Sequence, residues 1–129
     1  MTREPFQYAI VRVVPRVDRG EFINAGVILF CRTRGYLEAS VKLDEQRLKA
    51  IAPAADPSEI EARLQTVVRV AAGDRDAGPI AALPQSERFH WLVAPSSTVI
   101  QTSPVHTGLC DDDAPGLLAH LMATLVDQA

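Results

Sequence analysis

The sequence predicts an α+β fold: an antiparallel sheet of about five strands with two or three helices packed on it. Three observations carry this. The first fifty residues hold three apolar, Val- and Ile-rich runs joined by turns too short for a helical crossover. Two capped segments with helical apolar spacing follow. Two further apolar runs and a last helical segment complete the order β-β-β-α-α-β-β-α.

Each element has its own justification. Phe6 to Pro15 reads as a strand, and Arg16-Val17-Asp18-Arg19-Gly20 as the turn after it. Phe22 to Cys31 is a second strand, Arg32-Thr33-Arg34-Gly35 a compact turn, and Tyr36 to Leu43 a third strand. The first two strands are apolar on both faces, so the sheet is expected to be covered on both sides or to lie central in a homodimer. Asp44 caps a short helix carrying Leu48 and Ile51 that Pro53 ends. Asp56-Pro57-Ser58-Glu59 starts a longer one, with a capping residue, a proline at the first helical position and a glutamate three residues on. Ile60, Leu64, Val67, Val68 and Ala71 give it one apolar stripe, and Gly73 stops it. Residues 73–88 read as a loop held by the apolar run Ile80 to Leu83. Phe89 to Ala94 is the expected fourth strand and Val99 to Ser103 the fifth. The last helix begins near Asp113, with Pro115 in its first turn and Leu117, Leu118, Leu121, Met122 and Leu125 along it.

Length and composition bound the function. The 129 residues make one domain, with 47% hydrophobic and 22% charged residues, the profile of a soluble globular chain. The longest apolar run, Ala25 to Cys31, is far short of the roughly 20 residues that span a membrane. The charged, proline-bearing start does not resemble a signal peptide, so the expected location is the cytoplasm. Residues 1–50 carry nine Arg or Lys against six acids (9 − 6 = +3), and residues 51–129 carry four against ten (4 − 10 = −6). That overall acidity argues against a nucleic-acid module. Cys31 and Cys110 do not form a disulfide framework in a chain this long; Cys31 reads as a small core residue, and the aspartates after Cys110 disfavour a thiolate.

Polar residues inside apolar strands are the informative ones, because burying one unpaired costs roughly 2–7 kcal/mol. Arg12 sits between Val11 and Val13, Asn24 between Ile23 and Ala25, His90 between Phe89 and Trp91, and Gln101 after Val99-Ile100. Alternation puts Arg12 with Tyr8, Ile10 and Val14, Asn24 with Phe22, Gly26 and Ile28, and His90 with Leu92. If those faces coincide, the four residues form one polar patch. A second feature is the segment Gln101 to Cys110, read as a loop presenting Thr102, Ser103, His106 and Thr107. His106 has the intrinsic pKa of a general acid or base. Asp111-Asp112-Asp113 occupy the positions an anion would take and read as helix-capping groups. No HxxxH, HExxH or CxxC spacing supports a metal, and no P-loop, GxGxxG or GxSxG is present, so neither metal nor cofactor is expected. The catalytic candidates are His106, His90 and Ser103. The ligand-binding candidates are Arg12, Glu21, Asn24, Arg88, Gln101, Thr102 and Thr107. Glu21 is either a carboxylate partner of Arg12 or Arg16 or a solvated turn residue.

Ile10 to Arg16, Glu21 to Cys31, Arg88 to Pro95 and Ser97 to Gly108 resemble the bacterial family catalogued as domain of unknown function 3037. The likeness covers nearly the whole chain and is weakest through residues 44–85. It implies a stand-alone small bacterial protein and supplies no reaction. It also implies a partner, since members are often encoded beside kinase-like proteins of the HipA type. By resemblance Arg12, Glu21, Asn24, Arg88, His90, Gln101, Ser103, His106 and Thr107 belong to the family's motif segments. The expected function is a non-enzymatic accessory or binding module for a protein partner or a small anionic ligand. The alternative is a hydrolase or phosphate-ester-directed enzyme, with His106 as acid or base and Arg12 or Arg88 as anion clamp.

Overall fold

Two strands that are apolar on both faces need a layer on each side, and the chain supplies both layers from its own helices. The structure, a computed structural model, describes residues 3–111 and 113–127. Five strands, β1 (Glu4–Val13), β2 (Ile23–Cys31), β3 (Tyr36–Val41), β4 (Ile100–Thr102) and β5 (His106–Cys110), form one antiparallel sheet. The order is β3-β2-β1-β4, with β5 also pairing with β1. Among the described residues no helix is long and apolar enough to cross a membrane.

Helices α1 (Glu45–Ile51), α2 (Pro57–Ala72) and α3 (Gln85–Leu92) cover one face. Val11, Val13, Ile28, Phe30, Leu37 and Ala39 pack there against Leu48, Ile60, Leu64 and Phe89. Helix α4 (Ala114–Leu125) covers the other face, where Val27, Leu29, Cys31 and Cys110 meet Ala114, Leu121 and Met122. The helix starts follow the expected chemistry. The Asp44 carboxylate accepts from the N–H groups of Gln46 and Arg47, each at 3.1 Å. Asp56 accepts from the N–H of Ser58 at 3.0 Å, and Asp113 from that of Gly116 at 2.8 Å. Asp112 lies outside the described residues.

The β1–β2 ladder carries a bulge. Val11 pairs with Gly26 but Arg12 pairs with Asn24, so Ala25 is the extra residue on β2. The bulge reverses the alternation: Ala25 faces α1–α3, Val27 faces α4, and Ile28 faces α1–α3 again. Ile28 therefore does not share the face of Asn24, as simple alternation predicts.

Two segments differ from expectation. Phe89 to Ala94 is not a strand, since residues up to Leu92 belong to α3. Its burial recurs at three residues, with Phe89 and Leu92 inside and His90 and Trp91 exposed, and Glu87 favours the first helical turn. The fifth strand comes instead from the segment read as a loop. The chain bends at Ser103-Pro104 and returns to β1 as β5.

Ser103 makes that bend possible. Its N–H donates to the Ile10 carbonyl at 2.9 Å, and its hydroxyl oxygen accepts from the Ile10 N–H at 2.8 Å. The hydroxyl thus stands in for the carbonyl acceptor that a continuous ladder would offer the Ile10 N–H. Ser103 is 3% exposed. Ser103→Ala is expected to strand the Ile10 N–H and cost about 1–2 kcal/mol, read as a lower denaturant midpoint at unchanged slope.

Candidate functional site

Val11 and Val13 point toward α1–α3, so Arg12 between them points to the α4 side. It pairs with Asn24 on one neighbour and with Gln101 on the other, giving a polar row across β2, β1 and β4. Three of the four residues expected to share a patch therefore sit side by side. His90 does not join them. It is exposed on α3, in the layer covering the opposite face.

The row divides by what each side chain touches. The Asn24 amide donates to the Leu125 carbonyl at 3.1 Å and so closes the C-terminal end of α4. The Gln101 amide donates to the Thr98 carbonyl at 2.9 Å and braces the turn before β4. Arg12 instead lies over the ring of Phe22, its guanidinium carbon 4.2 Å from the ring centroid. Its Nε is buried and has no hydrogen-bond partner among the described residues. The neighbouring turn cations are already matched: Arg16 pairs with Asp18 at 2.9 Å and Arg19 with Glu21 at 2.7 Å. Glu21 is thus the solvated turn residue and Arg19 its partner, not Arg12 or Arg16. Arg12, Phe22, Val17, Gln101, Ser96 and Ser97 line a solvent-open depression of about 400 Å³. Phe22 is 46% exposed and Val17 42%. Alternation along β2 sets Phe22 with Asn24, and the pairing of Arg12 with Asn24 brings Phe22 to Arg12 as well. The available signal was an aromatic residue at the mouth of a turn, where burial is not expected.

The other candidates are spread over the molecule. The His106 ring stacks on Tyr8 at 5.1 Å and is exposed on the α4 side of the sheet. Ser103 is held in the strand ladder as described. Thr107 is exposed opposite Gln7, and the Thr102 hydroxyl donates to the Val93 carbonyl at 3.4 Å. Arg88 lies in the opposite layer. Its guanidinium donates to the Leu83 carbonyl at 2.6 Å and to the Ala71 carbonyl at 3.3 Å, tying the end of α2 to the loop before α3. This is the favourable place for a cation beside a helix C-terminus.

The Cys31 and Cys110 sulfurs stand 4.0 Å apart in the core under α4, both as free thiols. Burial, and then the neighbouring Cys110, push the Cys31 thiol up to about 11, which keeps it protonated and unreactive at neutral pH. Among the described residues no three of His, Cys, Asp and Glu gather closely enough to hold a metal ion.

These features define a small α+β protein with a five-stranded antiparallel sheet between two helical layers. The family model for proteins of unknown function DUF3037 matches residues 8–126, and the chain belongs to that family. No curated protein and no solved structure matches it.

Proposed function

We propose that the protein is a binding module, and that it engages an anionic group, on a partner or on a small ligand, at the depression around Arg12. One observation carries the reading. Arg12 is a part-buried cation with no carboxylate paired to it among the described residues, held over an exposed aromatic ring at an open concave surface. The ring restrains the guanidinium, so less side-chain freedom remains to be lost on binding. A carboxylate meeting that fork gains two parallel charge-assisted hydrogen bonds. The exposed Phe22 and Val17 add apolar contact around the charge, which is the composition of an interface anchor. A kinase-like partner of the HipA type belongs to the same proposal, as a protein that would offer such a group.

The enzyme reading has less support from the geometry. His106 and Arg12 share a face but stand four strand positions apart along β1, roughly 13 Å. Arg88 and His90 lie across the sheet, and the two terminal nitrogens of Arg88 each donate to a backbone carbonyl, its Nε alone being buried without a partner among the described residues.

The test is thermal. A ligand at ten times its dissociation constant adds about 1.4 kcal/mol, which in a chain of this size raises the midpoint by roughly 3–6 °C. Succinate, inorganic phosphate and a short glutamate-rich peptide serve as probes. At least one is expected to stabilise the wild type, and the gain is expected to vanish in Arg12→Gln and persist in His106→Ala. Equal gains in wild type and Arg12→Gln would contradict the site.

A further inference from the structure

The sheet has two outer edges, and they are built differently. One is β3, which carries Glu38 near its middle and is flanked by Arg32, Arg34 and Lys42. Charges of this kind are how edge strands avoid pairing with another chain. The other edge is made by β4 and then β5, which follow one another along β1, and β5 pairs with no other described strand. From Phe89 through Cys110 the chain has no Asp, Glu, Lys or Arg, although 22% of its residues are charged. Of the five large hydrophobic side chains exposed among the described residues, Trp91, Val105 and Leu109 fall in that stretch, and Leu109 is the most exposed at 61%.

We propose that the β5 edge is where a second copy of this chain adds, extending the sheet antiparallel across a two-fold axis. The charge pattern selects the occupant. In a two-fold interface every residue near the axis meets its own copy or a close neighbour of it, so a charge there faces a like charge. The β3 edge would set Glu38 against the partner's equivalent side, whereas β5 is uncharged along its whole length. With the axis at Gly108, Thr107 of one copy lies opposite Leu109 of the other, and each exposed leucine gains cover. Gly108 is already occupied on its inner side, because the Phe6 ring lies where a side chain at this position would stand. Pro104 limits the pairing to the β5 segment, since it has no N–H to offer the ladder.

This surface is distinct from the Arg12 depression, which borders β4 and the β1–β2 turn, so the two proposals fail separately. Sedimentation equilibrium of the full chain over a wide concentration range tests it. The expected result is a mass rising from 14.0 kDa toward twice that value, with β5 amides exchanging more slowly as concentration rises. Thr107→Lys and Leu109→Lys, both at exposed positions, are each expected to weaken the association at least tenfold. Arg12→Gln and Glu38→Lys are expected to leave it unchanged. A single 14.0 kDa species with concentration-independent β5 exchange would overturn the proposal. So would a dimer that tolerates both lysines, or one that Glu38→Lys abolishes.

Discussion

Phe89→Ala is expected to lower the unfolding free energy by about 3–5 kcal/mol, a fall in thermal midpoint of roughly 10–25 °C for a chain of this size. Phe89 is 1% exposed, and its ring meets Phe30 at 4.9 Å, joining α3 to the centre of the sheet. Truncation removes the contact and leaves a cavity between two layers that are each fixed by other contacts. Little collapse is available to fill it. His90→Ala, one residue on, is expected to change stability by no more than about 0.5 kcal/mol, because that side chain is exposed. In the strand expected from sequence, the two residues would also lie on opposite faces, but Trp91 would share the buried face with Phe89. Trp91→Ala is therefore the discriminating third variant, and at 54% exposure it is expected to cost far less than Phe89→Ala.

Gly26→Ala is expected to cost about 3 kcal/mol, at the upper end of the usual overpacking range. At an ordinary strand position with negative φ the same change helps, by about 0.4–1 kcal/mol, because alanine restricts the unfolded chain. Here the sign inverts. A methyl group at Gly26 would stand 2.5 Å from the Ser40 carbonyl oxygen and 2.9 Å from a Val41 methyl. The oxygen belongs to backbone in the β2–β3 ladder, so relief requires the strands to move apart where β2 also carries its bulge. A denaturant titration with unchanged slope and a lower midpoint checks it. Gly20→Ala offers a comparison without such a collision, since nothing lies within 4 Å of the added group, though its φ of 72° brings strain of its own.

Much of the architecture was legible because the signals were long or redundant. The first three strands, the caps at Asp44 and Asp56 and the stripe of α2 each rest on several residues that agree. That both faces need cover was legible from the first two strands, and residues Ala25 to Cys31 of β2 leave no polar face, but whether helices or a second copy supply it was not. Helix α3 was not, because eight residues hold too few turns to separate a helical period from an aromatic strand. Strand β5 was hidden for the opposite reason. An edge strand with exposed His106, Thr107 and Leu109 has no apolar alternation, and Pro104 and Gly108 mimic a loop. The bulge at Ala25 left no mark either, since Ala25 to Cys31 are all apolar and fit either face.

The site was legible in part. Arg12, Asn24 and Gln101 stood out as polar groups in apolar strands, and the pairing of β2, β1 and β4 brings them into one row. What sequence lacked was the partner of each. The Asn24 amide nitrogen is taken by the end of α4, a contact with Leu125 across most of the chain length, while its Oδ1 is buried without a partner among the described residues, and Ser103 is taken by the ladder itself. His90 drew notice as a polar group between Phe89 and Trp91 and His106 through its intrinsic pKa, yet one lies on a helix surface and the other on an edge strand. Arg12 is left over Phe22 because the neighbouring turn arginines hold the local acids.

The measurement that bears most directly on this account is a nitrogen-15 NMR titration of the full chain with succinate, following the Arg12 Nε–H resonance. The Nε is buried, so an arriving carboxylate meets the terminal nitrogens of the guanidinium, and the Nε–H reports that change from one atom away. A saturable shift is expected at Arg12, with companions at Phe22 and Gln101 and none at His90, and it is expected to be lost in Phe22→Ala. A titration in which the shifts gather at His106 and Ser103 while Arg12 stays still would contradict it.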